Sequence, residues 1–299
     1  KHLMIRAGYL AALIVVLLWM ILAEAGAGDL DYRVLAGIGA SSFTLIAYLQ
    51  IALICIIAPV FMAGAIAQEA SPRTWEVLLT TPLGPLEIVL GNLLGRLFFI
   101  LALLFASLPL FALTQYFGGV PGRSILASYL IAATAALLVG AIAIALAVSR
   151  VVGKRSVFFF YVAVVTYLAV TIGIDSYLRT SGLNRNGTGV SVVTSANPFL
   201  ALRAMLSPSS YPTAPTGTYT GLARWMFERP VAAWCWGSSI LSAFLMVAST
   251  IPVRAGGLQT IGAGTSGVPL HRRLFRLGAK GADHRAPRTP WANPIAWRE

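Results

Sequence analysis

The sequence predicts an all-α membrane protein with six transmembrane helices. Of its 299 residues, 58% are hydrophobic and only 11% are charged, and the mean hydropathy is +0.79. This is more apolar surface than a soluble domain of ordinary size can bury. Apolar runs of about 20 residues, the length that crosses a bilayer, recur along the chain. The runs leave no room for a second, soluble catalytic domain.

Six apolar runs define the predicted spans, which fill a transmembrane domain over residues 1–253. Pro59 and Pro109 lie within the second and third runs. We expect kinks there, because neighbouring helices can satisfy the carbonyl groups that a proline frees. The predicted spans are roughly residues 7–23, 43–66, 88–114, 125–148, 157–174 and 231–252.

Basic residues set the predicted orientation. With a cytoplasmic N-terminus, most of the 22 Lys and Arg residues lie inside, and the short outer loops carry only Arg33 and Arg123. The C-terminus is then cytoplasmic too. Residues 175–230, rich in Ser, Thr, Pro and Gly, form a long outer loop that we expect to be a partly ordered cap. Residues 254–299 form a basic cytoplasmic tail or linker, which anionic lipid headgroups attract by about 1 kcal/mol per Lys or Arg.

The sequence contains no pattern typical of catalysis, nucleotide binding or metal binding. Gly262, Gly264 and Gly267 have the G-x-G-x-x-G spacing, but no strand precedes them and Pro269 follows, so the phosphate-binding context is missing. The three histidines are scattered. Gln50 is the one polar side chain well inside an apolar run. We therefore predict neither an enzyme nor a cofactor, a metal or a nucleic-acid partner.

The segment between the second and third spans, which begins at Gln68, differs from the rest of the chain. Ser71 and Pro72 suit the N-cap and first position of a helix, and Pro82 suits its end. The residues between them alternate between an apolar and a polar face at helical spacing. The two faces hold Trp75, Leu78 and Leu79, and Arg73, Glu76 and Thr80. This pattern predicts a short amphipathic helix within residues 68–83 at the cytoplasmic interface, or else a helix that only covers the floor of the bundle.

This segment resembles the signature of the permease subunits of ABC-2 type transporters. In that family a Glu, then Thr-x-Glu-x-Leu-Leu, a Thr-Pro or Ser-Pro pair and Glu-Ile-Val-x-Gly follow the second span. The matching residues here are Glu69, Arg73, Thr74, Glu76, Leu78, Leu79, Thr81, Pro82, Leu83, Glu87, Ile88, Val89 and Gly91. Many members have Lys after that glycine, where this chain has Asn92. The six-span layout extends the resemblance to nearly the whole chain, and Asn197-Pro198-Phe199 is similar to a weaker family pattern.

The resemblance implies a permease subunit, in a prokaryotic cytoplasmic (inner) membrane, that exports a substrate and is driven by a separate ATP-binding subunit. That partner would bind the ATP, and the helix of residues 68–83 would transmit its closure to the bundle. A second permease module, in a homodimer or pseudo-dimer, and membrane lipids are further partners. No residue is assigned to the substrate. The residues expected to contact the ATPase are Glu69, Arg73, Thr74, Trp75, Glu76, Leu78, Leu79 and Pro82.

The last seven residues suggest a longer protein. The stretch from Asn293 to Glu299 resembles the Asn-Pro-x-x-x-Arg-Glu pattern that opens such permeases before their first span. The hypothesis is that the chain is one half of a two-module permease. The alternative function is a non-transporting membrane scaffold that anchors an assembly through its basic tail and outer loop.

Overall fold

The computed structural model describes residues 2–25, 32–69, 84–148, 156–181 and 189–261. Most of these residues are helical and none of them is in a β-strand, so the all-α prediction is confirmed for this part of the chain. The chain divides into two units, Lys1–Gly257 and Leu258–Glu299. The helix contacts and hydrogen bonds described here are those of the unit Lys1–Gly257. The α-helices α1–α9 are His2–Ala25, Tyr32–Glu69, Pro85–Ala106, Leu108–Tyr116, Gly122–Val148, Ser156–Thr180, Pro198–Leu206, Gly221–Glu228 and Pro230–Ile261, and a 3₁₀ helix, Thr194–Ala196, precedes α7.

Five helical stretches of the described residues are long and apolar enough to cross a membrane, and they correspond to the second to sixth predicted spans. In α1 the apolar stretch Ala7–Ala23 is shorter. At 1.5 Å per residue it covers about 26 Å, slightly less than a hydrocarbon core of about 30 Å. The first predicted span therefore stays a prediction. The five stretches are Tyr32–Pro59, Leu86–Tyr116, Gly122–Leu146, Phe160–Thr180 and Pro230–Ile251.

The second helix begins earlier than predicted, at Tyr32 rather than near residue 43. Polar residues at its start lowered the local hydropathy, but the hydroxyls of Ser41 and Thr44 are satisfied within the helix. Ser41 Oγ donates to the Gly37 carbonyl at 2.9 Å, and Thr44 Oγ1 donates to the Ala40 carbonyl at 2.8 Å. Such bonds let polar side chains lie in an apolar helix at little cost.

The third predicted span is two helices rather than one kinked helix. The break falls at Ser107, between α3 and α4, two positions before Pro109. A proline removes one backbone donor, and its ring crowds the carbonyl of the preceding turn, so the helix ends and starts again. Ser107 Oγ satisfies the break by donating to the Leu104 carbonyl at 2.6 Å, and it lies 2.9 Å from the hydroxyl of Tyr129 in α5.

The second helix, α2, is central to the bundle. It packs against α1, α3, α4, α5, α6 and α7, and its most extensive contact is with α5. Small, fully buried residues lie on both helices, including Ala47 and Ala58 on α2 and Ala132 and Ala136 on α5. Because lipid tails are as apolar as the helices, association in a membrane depends on close packing, which small side chains permit.

We predict that Ala136→Leu destabilises the bundle. Ala136 is fully buried, so a larger side chain must displace its neighbours, at a cost of about 1–3 kcal/mol. Thermal unfolding of the solubilised protein measures the loss. Ala163→Leu is the control, because it adds the same atoms at an exposed position of α6. Equal unfolding temperatures for the two variants would contradict the packing.

Candidate functional site

The helix α7 lies beside the long helices rather than beyond their ends. It packs against α2 and α5, and the ring of Phe199 stacks on that of Tyr48 with centroids 6.5 Å apart and planes 8° apart. Tyr48 lies about 24 Å along α2 from Tyr32, at 1.5 Å per residue. The segment before α7, which the sequence alone assigned to an outer loop, therefore turns back into the bundle.

Asn197 holds the start of α7 in place. It is the N-cap, and its Oδ1 accepts the N–H of Phe199 at 2.8 Å, while Pro198 occupies the first helical position. Its Nδ2 donates to Thr171 Oγ1 in α6 at 2.6 Å. The Tyr167 hydroxyl, also in α6, donates to the Ala196 carbonyl at 2.5 Å. Irregular backbone at this depth has to be satisfied by protein groups, and α6 supplies them.

A buried carboxylate lies one turn further along α6. Asp175 is only 1% exposed, and Ser191 Oγ donates to its Oδ1 at 2.5 Å. Thr194 Oγ1 approaches the same oxygen at 3.4 Å, and the Tyr211 hydroxyl donates to Oδ2. We call Asp175, Ser191, Thr194 and Tyr211 the Asp175 cluster. Three hydroxyl groups from the segment that follows α6 thus compensate for burying one acidic side chain.

Two arginines complete the surroundings of Tyr211. The guanidinium carbons of Arg179 and Arg203 lie 4.0 Å and 4.8 Å from the centre of its ring, and Arg179 also donates to the Ser210 carbonyl at 2.9 Å. Burial, the hydrogen bond to Asp175 and the negative charge of Asp175 raise the pKa of Tyr211, and the two arginines oppose this only in part. The hydroxyl therefore stays protonated, as a donor must, throughout the physiological range.

The cluster is closed to ligands. The Ser191 N–H donates to Thr194 Oγ1 at 3.0 Å, so this hydroxyl both accepts and donates within the cluster. Tyr211 has no exposed surface. Among the described residues, no group of three or more His, Cys, Asp and Glu side chains could hold a metal ion. The Asp175 cluster therefore attaches both the segment before α7 and the segment after it to α6.

A second set of buried polar groups lies inside the bundle. Gln50 is 1% exposed, and neither atom of its side-chain amide has a hydrogen-bonding partner among the described residues. The hydroxyl of Tyr9 is also buried, within electrostatic reach of Ser107 and Tyr129 at the break between α3 and α4. Polar groups in the middle of a bundle are costly to keep, which makes this break a polar point in an otherwise apolar core.

Most residues expected to contact an ATPase lie outside the described residues. Glu69 is the last residue of α2. Its partners in that prediction, Arg73, Thr74, Trp75, Glu76, Leu78, Leu79 and Pro82, fall within 70–83, which the structure does not describe.

The start of α3, directly after that segment, is held by a hydrogen bond. The Gly84 N–H donates to Glu87 Oε2 at 2.8 Å and so caps α3, and the next two motif residues, Ile88 and Val89, are buried. Arg96 in α3 donates through Nη1 to the Phe61 carbonyl in α2 at 2.8 Å. The helices on either side of residues 70–83 are therefore tied to each other.

Sequence reasoning missed the Asp175 cluster. Placing the end of the fifth span at 174 put Asp175 at the start of the outer loop, where an acidic side chain is expected to be solvated. Its partners, Ser191, Thr194 and Tyr211, lie far along a stretch rich in Ser, Thr and Pro, where no spacing distinguishes them. Asn197 was noticed only as part of a family pattern.

Comparisons of the chain with models of protein families, with curated proteins and with solved structures give no match. The part of the chain that the structure describes defines the class of protein: it is mainly helical, and five of its helical stretches have the length and apolarity of membrane spans, as in an integral membrane protein.

Glu228 organises the turn before α8. Its Oε1 accepts the N–H groups of Gly217 at 2.9 Å and Tyr219 at 3.3 Å, and its Oε2 pairs with Arg224 at 3.2 Å. Burial alone would raise the pKa of this carboxyl group, but the two amides and Arg224 outweigh burial and lower the pKa. The turn is thus held by an ionised carboxylate.

We predict that Tyr211→Phe weakens the attachment of the α7 segment. The variant keeps the ring and removes the donor to Asp175, which costs about 1–3 kcal/mol for a buried acceptor left without its partner. Thermal unfolding and limited proteolysis measure the effect. Tyr219→Phe is the control, because its ring stacks on Phe227 at 5.0 Å, outside the cluster. Indistinguishable variants would show that the hydroxyl contributes nothing.

We predict that acid loosens the turn before α8. Since the folded state lowers the pKa of Glu228, its stabilisation is complete at neutral pH, and it is lost as the pH falls from about 4.5, the usual value, through the lower folded value. Hydrogen exchange of a peptide covering 214–228, corrected for intrinsic rates, measures this. In Glu228→Gln the corrected exchange should be fast at pH 7 and nearly independent of pH. A wild-type profile as flat as that of the variant would refute the prediction.

Proposed function

We propose that the chain is the permease subunit of an ATP-driven ABC-2 type transporter, an exporter coupled to a separate ATP-binding subunit. The observation that carries the proposal is the motif between α2 and α3, which runs from Glu69 to Gly91. Its second half has structural roles, since Glu87 caps α3 and Ile88 and Val89 are buried. Its first half, through Leu79, has the two-faced pattern of a helix that contacts a partner.

The surroundings of the motif suit mechanical coupling. A force applied to residues 70–83 acts on the end of α2 and the start of α3 together, because Arg96 ties α3 to the Phe61 carbonyl, and Phe61 packs on Phe99 with ring centroids 4.5 Å apart. In turn, α2 packs against most of the other helices. A displacement at this end would therefore reach the whole bundle through its central helix.

The number of spans, the orientation in the membrane and the contact with the ATPase are proposed from the sequence. The apolar helix α1 is the first of six spans, the 69–84 end of the bundle faces the cytoplasm, and the helix of residues 68–83 contacts the ATPase. A second module, from another copy or from the same longer chain, completes the transporter in a prokaryotic inner membrane. The rival function is a membrane scaffold, which needs no contact at residues 70–83.

We predict that Glu76→Lys uncouples the two subunits. Co-expressed with its ATP-binding subunit and reconstituted in liposomes, the wild-type chain should stimulate ATP hydrolysis, and the variant should return hydrolysis to the rate of the ATP-binding subunit alone. Lys in place of Glu76 reverses a charge that faces the partner, and repulsion between like charges then weakens specific binding.

Asp31→Lys is the matched control, because it makes the same charge change before the start of α2, at the opposite end of the helix from Glu69. Unchanged thermal unfolding of both variants shows that the bundle is intact. Hydrolysis that is indifferent to Glu76→Lys, or a chain that co-purifies with no ATP-binding subunit, would favour the scaffold.

A further inference from the structure

A large groove runs along α9, and Tyr167 of α6 lines it on another side. Its volume is about 730 Å³, within the range of about 300–1,000 Å³ typical of ligand pockets. Leu138 of α5 forms part of its wall, and Ala196 and Trp225 line the part near the 3₁₀ helix and α8. Within the described residues, α6 and α9 do not pack along their length. The groove therefore leaves this face of α9 uncovered by α6.

The groove offers an occupant almost no hydrogen bonds. Apart from the exposed indoles of Trp225 and Trp236, its lining is apolar except for a few hydroxyl groups, and these already donate to backbone carbonyls. The Tyr167 hydroxyl donates to Ala196, Ser195 Oγ donates to Val192 at 3.2 Å, and Ser238 Oγ donates to Trp234 at 2.7 Å. A polar ligand or an extended peptide would leave its own groups unsatisfied here. The lining of the groove is therefore suited to an apolar chain.

The groove is continuous with the surface that faces lipid. Much of its lining belongs to the membrane-spanning candidate Pro230–Ile251, and Tyr167 of the candidate Phe160–Thr180 lines it as well. Ile240 lines the groove and is 65% exposed, and the next turn of the same face carries Phe244, 67% exposed. In a bilayer these side chains are covered by acyl chains, which can pass from the surface into the groove without crossing a polar barrier.

We infer that an acyl chain of a membrane phospholipid occupies this groove and fills the space between α6 and α9. The exposed indoles of Trp225 and Trp236 lie along the groove at the end nearest α8. Trp side chains prefer the boundary between hydrocarbon and headgroups, which sets the headgroup at this end and the chain along α9. The site does not depend on coupling to an ATPase, and it exists equally in a scaffold.

The test uses phospholipids that carry bromine on their acyl chains and quench tryptophan fluorescence on contact. Trp234 lines the groove but is only 4% exposed, so an acyl chain inside the groove is what brings bromine to it. The full chain is reconstituted in brominated and ordinary phosphatidylcholine vesicles. The difference between the wild type and Trp234→Phe isolates the quenching of this residue. We expect Trp234 to be quenched at least twofold.

Gly237→Phe should abolish this quenching by filling the groove. A Cβ at Gly237 meets no atom within 4 Å, so the larger side chain enters the groove without a clash at its base. Gly173→Phe is the matched control: Gly173 lies on α6, outside the groove, and its Cβ position is equally open. The control should keep the wild-type quenching.

Native mass spectrometry of the same proteins gives a second readout, with one phospholipid fewer retained by Gly237→Phe than by the wild type and Gly173→Phe. Three results would overturn the site: an unquenched Trp234 in the wild type, equal behaviour of the two glycine variants, or crosslinking between copies through the groove, which would mean that a second copy fills it. None of these bears on the Glu76→Lys experiment, so the two proposals fail separately.

Discussion

The packing of α2 on α5 is the contact on which the rest of the bundle depends. In a bilayer no hydrophobic effect drives helices together, so the contact has to come from close approach, and buried alanines such as Ala47 and Ala136 provide it. Once α2 is fixed against α5, it presents its other faces to α1, α3, α4, α6 and α7. The turn between α4 and α5 also approaches α2 closely, because a Cβ on Gly39 of α2 would lie 2.6 Å from the Gly118 carbonyl oxygen.

Close packing of regular helices leaves the irregular segments to be satisfied by side chains. The break at Ser107 is bridged by its own hydroxyl and by Tyr129, and the re-entry at Asn197 is bridged by Thr171 and Tyr167. These buried polar side chains therefore satisfy the backbone where it leaves the helix. Others lie within unbroken helices: Ser238 and Ser242 donate to the backbone of their own helix, whereas the Ser42 hydroxyl and the Gln50 amide have no partner among the described residues.

Hydropathy predicted five of the long helices because about 20 consecutive apolar residues have few alternatives to a span. Hydropathy is averaged over a window of residues, so it does not reveal the break at Ser107: a helix that is interrupted for one residue keeps its mean hydropathy. The averaging also hid α7, whose place depends on the bond between Asn197 and Thr171, residues that are distant in sequence. The Asp175 cluster could not be predicted for the same reason. Turn and cap signals are local, whereas the partners of a buried carboxylate are chosen by the fold.

The two sides of the bundle differ in how firmly they are joined, and this difference bears on the proposed mechanism. Tyr161 donates to the Ile56 carbonyl at 2.9 Å and Phe199 stacks on Tyr48, so a tilt of α2 carries α6 and α7 with it. The contacts of α9 are fewer; Trp234, which donates to the Ile131 carbonyl at 3.4 Å, joins it to α5. A lipid chain between α6 and α9 would replace a direct contact between these two helices, so that α6 could move with α2 and α7 relative to α9.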